Sequence, residues 1–277
     1  MIIGIPKEIM HDEARVAATP ETVGKFVKDG FEVLVECHAG DGALFHDADY
    51  VSEGATMVND PQEIYDRAEM ILKVKEPLFN EQKQTHEVDM MHSGQVLITF
   101  IHPASPVNHE MVRRLTAKGV TAITLDGIPR ISRAQNMDAL TSMSTCAGYK
   151  GILMAANHLT TFVPSMFTAV GQIKPAKVMV IGVGVAGLQA LATAKRLGAI
   201  TYAADIRPMA VENASSLGAK LQALADKYST TFGDTVKRAT DAEKTLDGFA
   251  IARTTRSSSR ILIVPKRCQY VAKSNFF

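Results

Sequence analysis

The sequence predicts an α/β protein made of two parallel-sheet domains. Three observations carry that reading. Short apolar runs alternate with amphipathic stretches from residue 1 to about 127, the pattern of a parallel sheet with helices on both faces. A continuous apolar run at 178–181 enters a glycine-rich turn, followed by an apolar helical stretch and a second apolar run. Between these regions, the polar segment GIPRISRAQNMD breaks the alternation. A chain of 277 residues is long enough for two cores.

In the first region, strands are expected at 2–5, 32–36, 70–74, 96–101 and 122–125, and helices at 20–29, 48–53, 61–67 and 107–118. Thr19-Pro20, Asp60-Pro61 and Ser105-Pro106 each put a capping side chain ahead of a first-turn proline. Gly30 and Gly119 stand where helices stop. Residues 1–138 are thus a complete, flavodoxin-like α/β domain. Residues 127–138 read as a loop, and 139–159 as one long helix whose small residues suit close packing and a bridging role. An irregular connector completes the 139–176 segment.

The second domain, 177–252, is organised around KVMVIGVGVAGLQALATAKRLGAITYAAD. The run 178–181 has the composition of a strand buried on both faces. It leads into Gly182-Val183-Gly184-Val185-Ala186-Gly187. Gly182 permits the turn, Gly184 clears the approach of a pyrophosphate, and Gly187 lets the helix pack on the strand. The helix start offers unpaired N–H groups and about half a positive charge to phosphates. The next strand, 200–204, ends on Asp205, eighteen residues beyond Gly187, near the spacing for an acid on the adenosine ribose. Strand, turn, helix and acid together predict a Rossmann-type dinucleotide-binding unit. The acid favours NAD(H), because a 2′-phosphate would face a carboxylate.

Composition excludes several classes. A net charge of +1 gives no footprint for nucleic acid. The longest apolar stretch is interrupted by glycines and too short for a membrane span. No signal peptide is visible, so any link to a membrane must come through a partner. Cys37, Cys146 and Cys268 fit neither a disulfide framework nor a zinc site and suggest a reducing compartment. The histidines other than His102 show no metal-ligand spacing, so no metal is expected, and no nucleophile motif is present.

Two sets of residues could carry chemistry. Arg15 follows the first strand, Lys73 and Lys75 end ILKVKEP, and His102 ends ITFIHPA. Ligands of open parallel sheets sit beyond the carboxyl ends of strands, which points Arg15, Lys75 and His102 towards an interdomain cleft. Guanidinium, ammonium and imidazole suit a carboxylate-bearing small molecule, or each is simply an exposed strand-end residue. In the loop, Arg130 could hold a carboxamide or a phosphate. Gln135 could read a carboxamide through donor and acceptor. Asp138 is either a ligand group or the N-cap of the long helix.

PRISRAQNMDALTSMSTCAGYKG, with IGIPKE, ARVAATP, LKVKEP, IHPA, the glycine-rich stretch and the DIRP around Asp205, closely resembles the NAD(H)-binding first domain of the proton-translocating, Re/Si-specific nicotinamide nucleotide transhydrogenase, in its alpha subunit. The resemblance covers residues 1–220. It implies that Arg130, Gln135 and Asp138 position the nicotinamide, with Thr141 keeping the hydroxyl of a family serine. It implies that the 182–187 turn, Asp205 and Arg207 hold the rest of NAD(H). Hydride would pass to NADP(H) on a partner, the beta subunit or domain III. A membrane domain would couple transfer to proton passage. A homodimer, cytoplasmic or peripheral on the inner membrane face through its partner, is implied too. Such a transfer needs two rings held at near-attack distance, and no nucleophile or metal.

Alanine dehydrogenase is the sister family and the alternative. There, Arg15, Lys75 and His102 match the pyruvate-binding arginine and lysine and the catalytic histidine. The resemblance fails towards the C-terminus. The family's mobile loop and later Rossmann strands find no clean match, and the 253–277 tail is basic and serine-rich. A second domain incomplete at its C-terminus is therefore expected, through truncation or a shifted reading frame. An inactive remnant is the corresponding non-enzymatic alternative.

Overall fold

The computed structural model describes residues 1–129, 131–169, 171–205, 207–221, 250–253 and 260–264. The chain divides into two compact units, Met1–Asp138 and Ala139–Phe277.

The first unit runs β1 (Ile2–Ile5), α1 (Pro20–Lys28), β2 (Glu32–Glu36), α2 (Asp47–Ser52), β3 (Thr56–Val58), α3 (Pro61–Arg67) and β4 (Met70–Leu72). A small hairpin, β5 (Phe79–Asn80) and β6 (Thr85–His86), leads into α4 (Glu87–Met90). Then come β7 (Val96–Thr99), α5 (His109–Lys118) and β8 (Thr121–Thr124). The capping logic holds locally. Thr19 Oγ1 accepts from Thr22 N–H at 3.3 Å ahead of Pro20, and Asp60 accepts from Gln62 N–H at 2.9 Å ahead of Pro61. Such caps contribute about 1 kcal/mol each. At the third site the expectation fails: the Ser105 side chain makes no cap, and Pro106 opens a short 3-10 turn, Pro106–Asn108, from which α5 continues.

The six main strands form one parallel sheet in the order β3-β2-β1-β4-β7-β8. Without β3 this is the flavodoxin-like order expected from five strands. β3 adds an edge strand, too short to stand out between Gly54-Ala55 and Asn59-Asp60. One apolar cluster gathers Ile64, Tyr65, Ile71 and Leu97, and another Ile5, Val23, Val35 and Tyr50. The chain reverses winding between β1 and β4, the usual place for a crevice at the strand ends. Residues 125–137 are not a featureless loop, for Leu125–Gly127 and Ser132–Met137 wind as 3-10 turns.

The second unit opens with α6 (Ala139–Asn157) and an antiparallel hairpin of β9 (Met166–Thr168) and β10 (Gly171–Ile173), within the segment expected to be irregular. Then follow β11 (Lys177–Ile181), α7 (Val185–Arg196), β12 (Ile200–Ala204), α8 (Pro208–Ser216) and β13 (Lys220–Leu221). α6 packs on α7 at very short range. A methyl group on the buried Gly148 would strike the Ala186 carbonyl. Val178, Val180, Ala190, Leu191 and Ala203 form the core.

β13, β12 and β11 are parallel neighbours, as a Rossmann-type unit requires. β14 (Ala250–Arg253) and β15 (Arg260–Val264) extend the sheet as β13-β12-β11-β15-β14. Both new pairings are antiparallel, so the sheet is mixed. Between β14 and β15 the reason is chain length: the stretch 254–259 is shorter than the roughly dozen residues a parallel crossover needs. The polar stretch 234–244, which reads as helical in the sequence, and most of the tail lie outside the described residues.

Candidate functional site

The glycine turn is built by the exit of β11. Gly182 has φ +87, a left-handed backbone that suits glycine, and its N–H donates to the Ala204 carbonyl at 2.8 Å. That bond ties the end of β11 to the end of β12. Gly184 is the N-cap of α7. Gly187 is buried, and a methyl there would collide with the Gly182 carbonyl. Helix and strand are therefore as close as glycine allows. Where a Gly184 Cβ would stand, the one atom within 4 Å among the described residues is Arg207 Nη2, at 4.0 Å. Val183, Val185 and Ala186 complete the turn, with Val183 and Ala186 buried.

Asp205 sits at the end of β12, its side chain 4% exposed. Its Oδ2 accepts from Val183 N–H at 2.6 Å, which anchors the glycine turn to the acid. Its Oδ1 accepts from Arg207 N–H at 2.9 Å. The Arg207 guanidinium closes on both oxygens, Nε to Oδ1 at 3.0 Å and Nη2 to Oδ2 at 2.9 Å. Burial pushes the Asp205 carboxyl up. Arg207 and the backbone donors outweigh burial and hold it below the usual aspartate value. The sequence reading treats Asp205 as a bare carboxylate. In the structure it is the anionic half of a bidentate pair.

A groove of about 460 Å³ lies between α6, α7 and α8, lined by Thr145, Val185, Leu188, Gln189, Ala192 and Asn213. Of these, Val185 alone belongs to the glycine turn, so the groove runs along the helices rather than over the turn.

The loop residues occupy one continuous segment. Arg130 lies outside the described residues. Gln135 is exposed on the second 3-10 turn, and its carbonyl accepts from Asp138 N–H at 3.2 Å. Asp138 is half-buried and ends that turn immediately before α6. Thr141, also half-buried, is in the first turn of α6, where its carbonyl accepts from the Thr145 hydroxyl at 2.9 Å.

Arg15, Lys75 and His102 are strung together by acids at the carboxyl edge of the first sheet. Glu13 takes Arg15 in a bidentate pair, Nε at 2.7 Å and Nη2 at 2.5 Å. Burial raises the Glu13 carboxyl, but Arg15 chiefly, with Lys75 adding to it, brings it below its usual value. Glu76 Oε2 lies 3.5 Å from Lys75 Nζ and 3.9 Å from His102 Nε2, buried and without a hydrogen-bond partner among the described residues. Asp126 orients His102, its Oδ1 2.7 Å from Nδ1 and its Oδ2 accepting from the His102 N–H at 2.7 Å. These bonds hold His102 at φ +50, uncommon for a residue with a side chain. Its ring also stacks on Phe100 at 5.7 Å.

The expected cationic set is thus balanced by Glu13, Glu76 and Asp126. Sequence reasoning missed all three, although Glu76 stands beside Lys75 in KVKEP. Lys73 does not belong to the set. It points inwards, completely buried, with Nζ 2.8 Å from Glu87 and 3.3 Å from Glu8.

His38 Nδ1, Asp41 and Asp47 also converge, their ligand-type atoms within 4.8 Å of one another. Sequence spacing did not suggest this grouping. Asp47 Oδ1 accepts from His38 N–H at 2.8 Å, and Asp41 Oδ2 is 3.0 Å from His38 Nδ1. These contacts fasten the loop between β2 and α2.

Two family models match the chain, "Alanine dehydrogenase/PNT, N-terminal domain" over residues 4–147 and "Alanine dehydrogenase/PNT, C-terminal domain" over residues 151–246. NAD(P) transhydrogenase subunit alpha of Haemophilus influenzae is 41% identical over 234 residues, 84% of this chain and 44% of that protein. Alanine dehydrogenase of Bacillus subtilis is 37% identical over 211 residues, 74% of this chain and 52% of that protein. The solved structure of the Sinorhizobium meliloti transhydrogenase superposes with a TM-score of 0.74 at 40% identity, over 80% of this chain and 64% of that chain. The chain therefore spans about half the length of the curated relatives it matches. Both family models meet on one polypeptide, their boundary falling within α6, and on that basis the chain belongs to the alanine dehydrogenase/PNT family.

Proposed function

We propose that this chain binds NAD(H) and serves as the NAD(H)-binding component of a transhydrogenase. In this reading it exchanges a hydride with NADP(H) held on a partner, the beta subunit or domain III. A partner membrane domain couples the exchange to proton translocation. The observation that carries the reading is the junction of the glycine turn with Asp205. The place over Gly184, met among the described residues only by the Arg207 guanidinium at 4.0 Å, the N-terminus of α7 and an acid at the end of β12 fit a pyrophosphate and an adenosine ribose. The greater identity to a transhydrogenase alpha subunit than to an alanine dehydrogenase supports the choice between sister activities.

The nicotinamide supplies the hydride chemistry when bound. The task of the chain is positioning. Val185, Ala186 and Gly187 present the first-turn N–H groups of α7 to phosphate, and Val183 keeps the turn fastened to Asp205. Arg130, Gln135, Asp138 and Thr141 orient the carboxamide and ring. A proton donor is not required of them, because hydride passes between two nicotinamides without one. The Re/Si stereochemistry, homodimer assembly and location at the inner membrane face through the partner belong to the same proposal.

The alternative is NAD-dependent reductive amination of pyruvate. The convergence of Arg15, Lys75 and an Asp126-oriented His102 favours it, as such a set could bind and protonate a keto acid. Against it, Glu13 and Glu76 already neutralise the two cations. The test is a pair of assays on the full chain. Hydride transfer from NADH to an NADP+ analogue is measured with an added NADP(H)-binding transhydrogenase domain, and NADH oxidation with pyruvate and ammonia. Turnover in the first alone is expected. Turnover in the second alone would favour alanine dehydrogenase. NADH binding with no turnover in either would match the inactive remnant.

A further inference from the structure

We infer that His38, Asp41, His46 and Asp47, on the loop between β2 and α2, form a binding site for one Zn2+ ion. The inference concerns the first unit alone and is independent of the dinucleotide reading. Chain spacing hides the four residues as a set, because the loop has to fold back before they meet. Phe45 N–H donates to the Gly40 carbonyl at 3.0 Å, and His38 N–H donates to Asp47 Oδ1 at 2.8 Å. The two arms of the loop are thereby closed around Asp41. Close packing fixes this fold: a methyl on Gly40 would strike the Phe45 carbonyl, and one on Gly42 the Ala14 backbone. The backbone that carries the four side chains is therefore set before any ion arrives.

Asp41 faces two imidazoles at once, with Oδ2 3.0 Å from His38 Nδ1 and Oδ1 3.6 Å from His46 Nδ1. Ligand-type atoms of His38, Asp41 and Asp47 all lie within 4.8 Å of one another. A hydrogen bond accounts for the first of these contacts, but the second is too long for one. Ligands of a tetrahedral ion with bonds of about 2.0–2.2 Å stand about 3.4 Å apart, and both separations are close to that. Two imidazoles with two carboxylates suit Zn2+, whereas Mg2+ and Ca2+ take oxygen ligands. The two carboxylates also cancel the charge of a divalent ion. Asp47 accepts from His38 N–H and keeps further capacity, since a carboxylate offers about four lone-pair sites. Cys37 is not counted among the ligands. Burial first, and Asp47 next, push its thiol up, and a metal takes the thiolate. His38, Asp41 and His46 are exposed, so an ion can enter from solvent.

The probe is Zn2+ itself, titrated calorimetrically into the untagged, metal-free full-length chain, with Mg2+ as the hard-cation competitor. The variants are chosen to keep the loop folded. His38→Asn suits the left-handed backbone at this position, φ +63, which asparagine tolerates. His46→Thr keeps a capping residue ahead of α2. Asp41→Asn keeps the size of the side chain and removes its charge. His11→Gln is the control, because His11 makes a surface pair with Asp12 at 3.0 Å outside the set. Thermal unfolding checks that each variant is folded, and His46→Thr carries the test should His38→Asn fail to fold.

Wild type and His11→Gln are expected to bind one Zn2+ per chain with the same affinity. His38→Asn, His46→Thr and Asp41→Asn should each weaken that binding at least about tenfold, the scale on which even the partners of metal ligands act. Excess Mg2+ should leave it in place. Folded wild type that takes up no Zn2+ would overturn the site. So would Zn2+ binding undiminished in the folded histidine variants, which would place the ion elsewhere on the chain. Displacement by Mg2+ at a similar concentration would reduce the set to an acidic patch and overturn it too. A loss in His11→Gln as large as in His46→Thr would show adventitious binding to surface histidines, with the same consequence.

Discussion

Lys73 shows how much depends on a single side chain in the first unit. Its ammonium is enclosed by Glu8 and Glu87, and the Tyr65 hydroxyl donates to the same Glu87 oxygen at 2.9 Å. Burial opposes the charge, but the two carboxylates overcome it and hold the lysine above its usual value. Lys73→Met would leave both acids buried without a cation. A loss of about 3–5 kcal/mol is expected for such a change, measurable by denaturant unfolding. Asp205 provides a pH signature. Its folded-state value lies below the ordinary 3.8, so its contribution is fully present above that pH and is lost as pH falls through the folded value. Thermal unfolding of wild type and Asp205→Asn should differ near neutral pH and converge in strong acid. A constant difference down to the lowest accessible pH would contradict this. Asp205 was legible from its spacing alone, but its partner was not. Glu13, Glu76 and Asp126 were also illegible, because acid–base pairing across strand ends depends on which ends the sheet brings together.

At the scale of elements, close backbone approach is the controlling feature of the second unit. Gly187→Ala would force the start of α7 away from the Gly182 carbonyl, and Gly148→Ala would do the same between α6 and α7. Overpacking of this kind costs about 1–3 kcal/mol. The two variants should differ in function. Gly187→Ala should weaken NADH binding beyond its effect on melting temperature, because it moves the phosphate-facing turn. Gly148→Ala should lower melting temperature chiefly. Equal effects on binding would contradict the role given to the turn. Elements with a proline-led start or a continuous apolar run were readable in the sequence, among them α1, α3, β11 and β12. β3, β5 and β6 were not, for two or three residues hold no period. The antiparallel seating of β15 on β11 was also invisible, because strand direction follows from partner choice rather than from composition.

On the scale of the whole molecule, the chain presents two units. One is an all-parallel sheet with paired charges at its carboxyl edge. The other is a mixed sheet whose parallel part carries the glycine turn. Among the described residues, no helix is long and apolar enough to cross a membrane. In the proposed function this chain holds NAD(H). The absence of tryptophan from the sequence makes that task directly observable, since nicotinamide fluorescence can be followed with little protein background. Titration of the full-length chain with NADH, checked for folding by its cooperative thermal transition, should give a saturable signal, with NADPH markedly weaker. A chain that unfolds cooperatively yet leaves NADH fluorescence unchanged would contradict the assignment of the Gly182–Gly187 turn as a dinucleotide site.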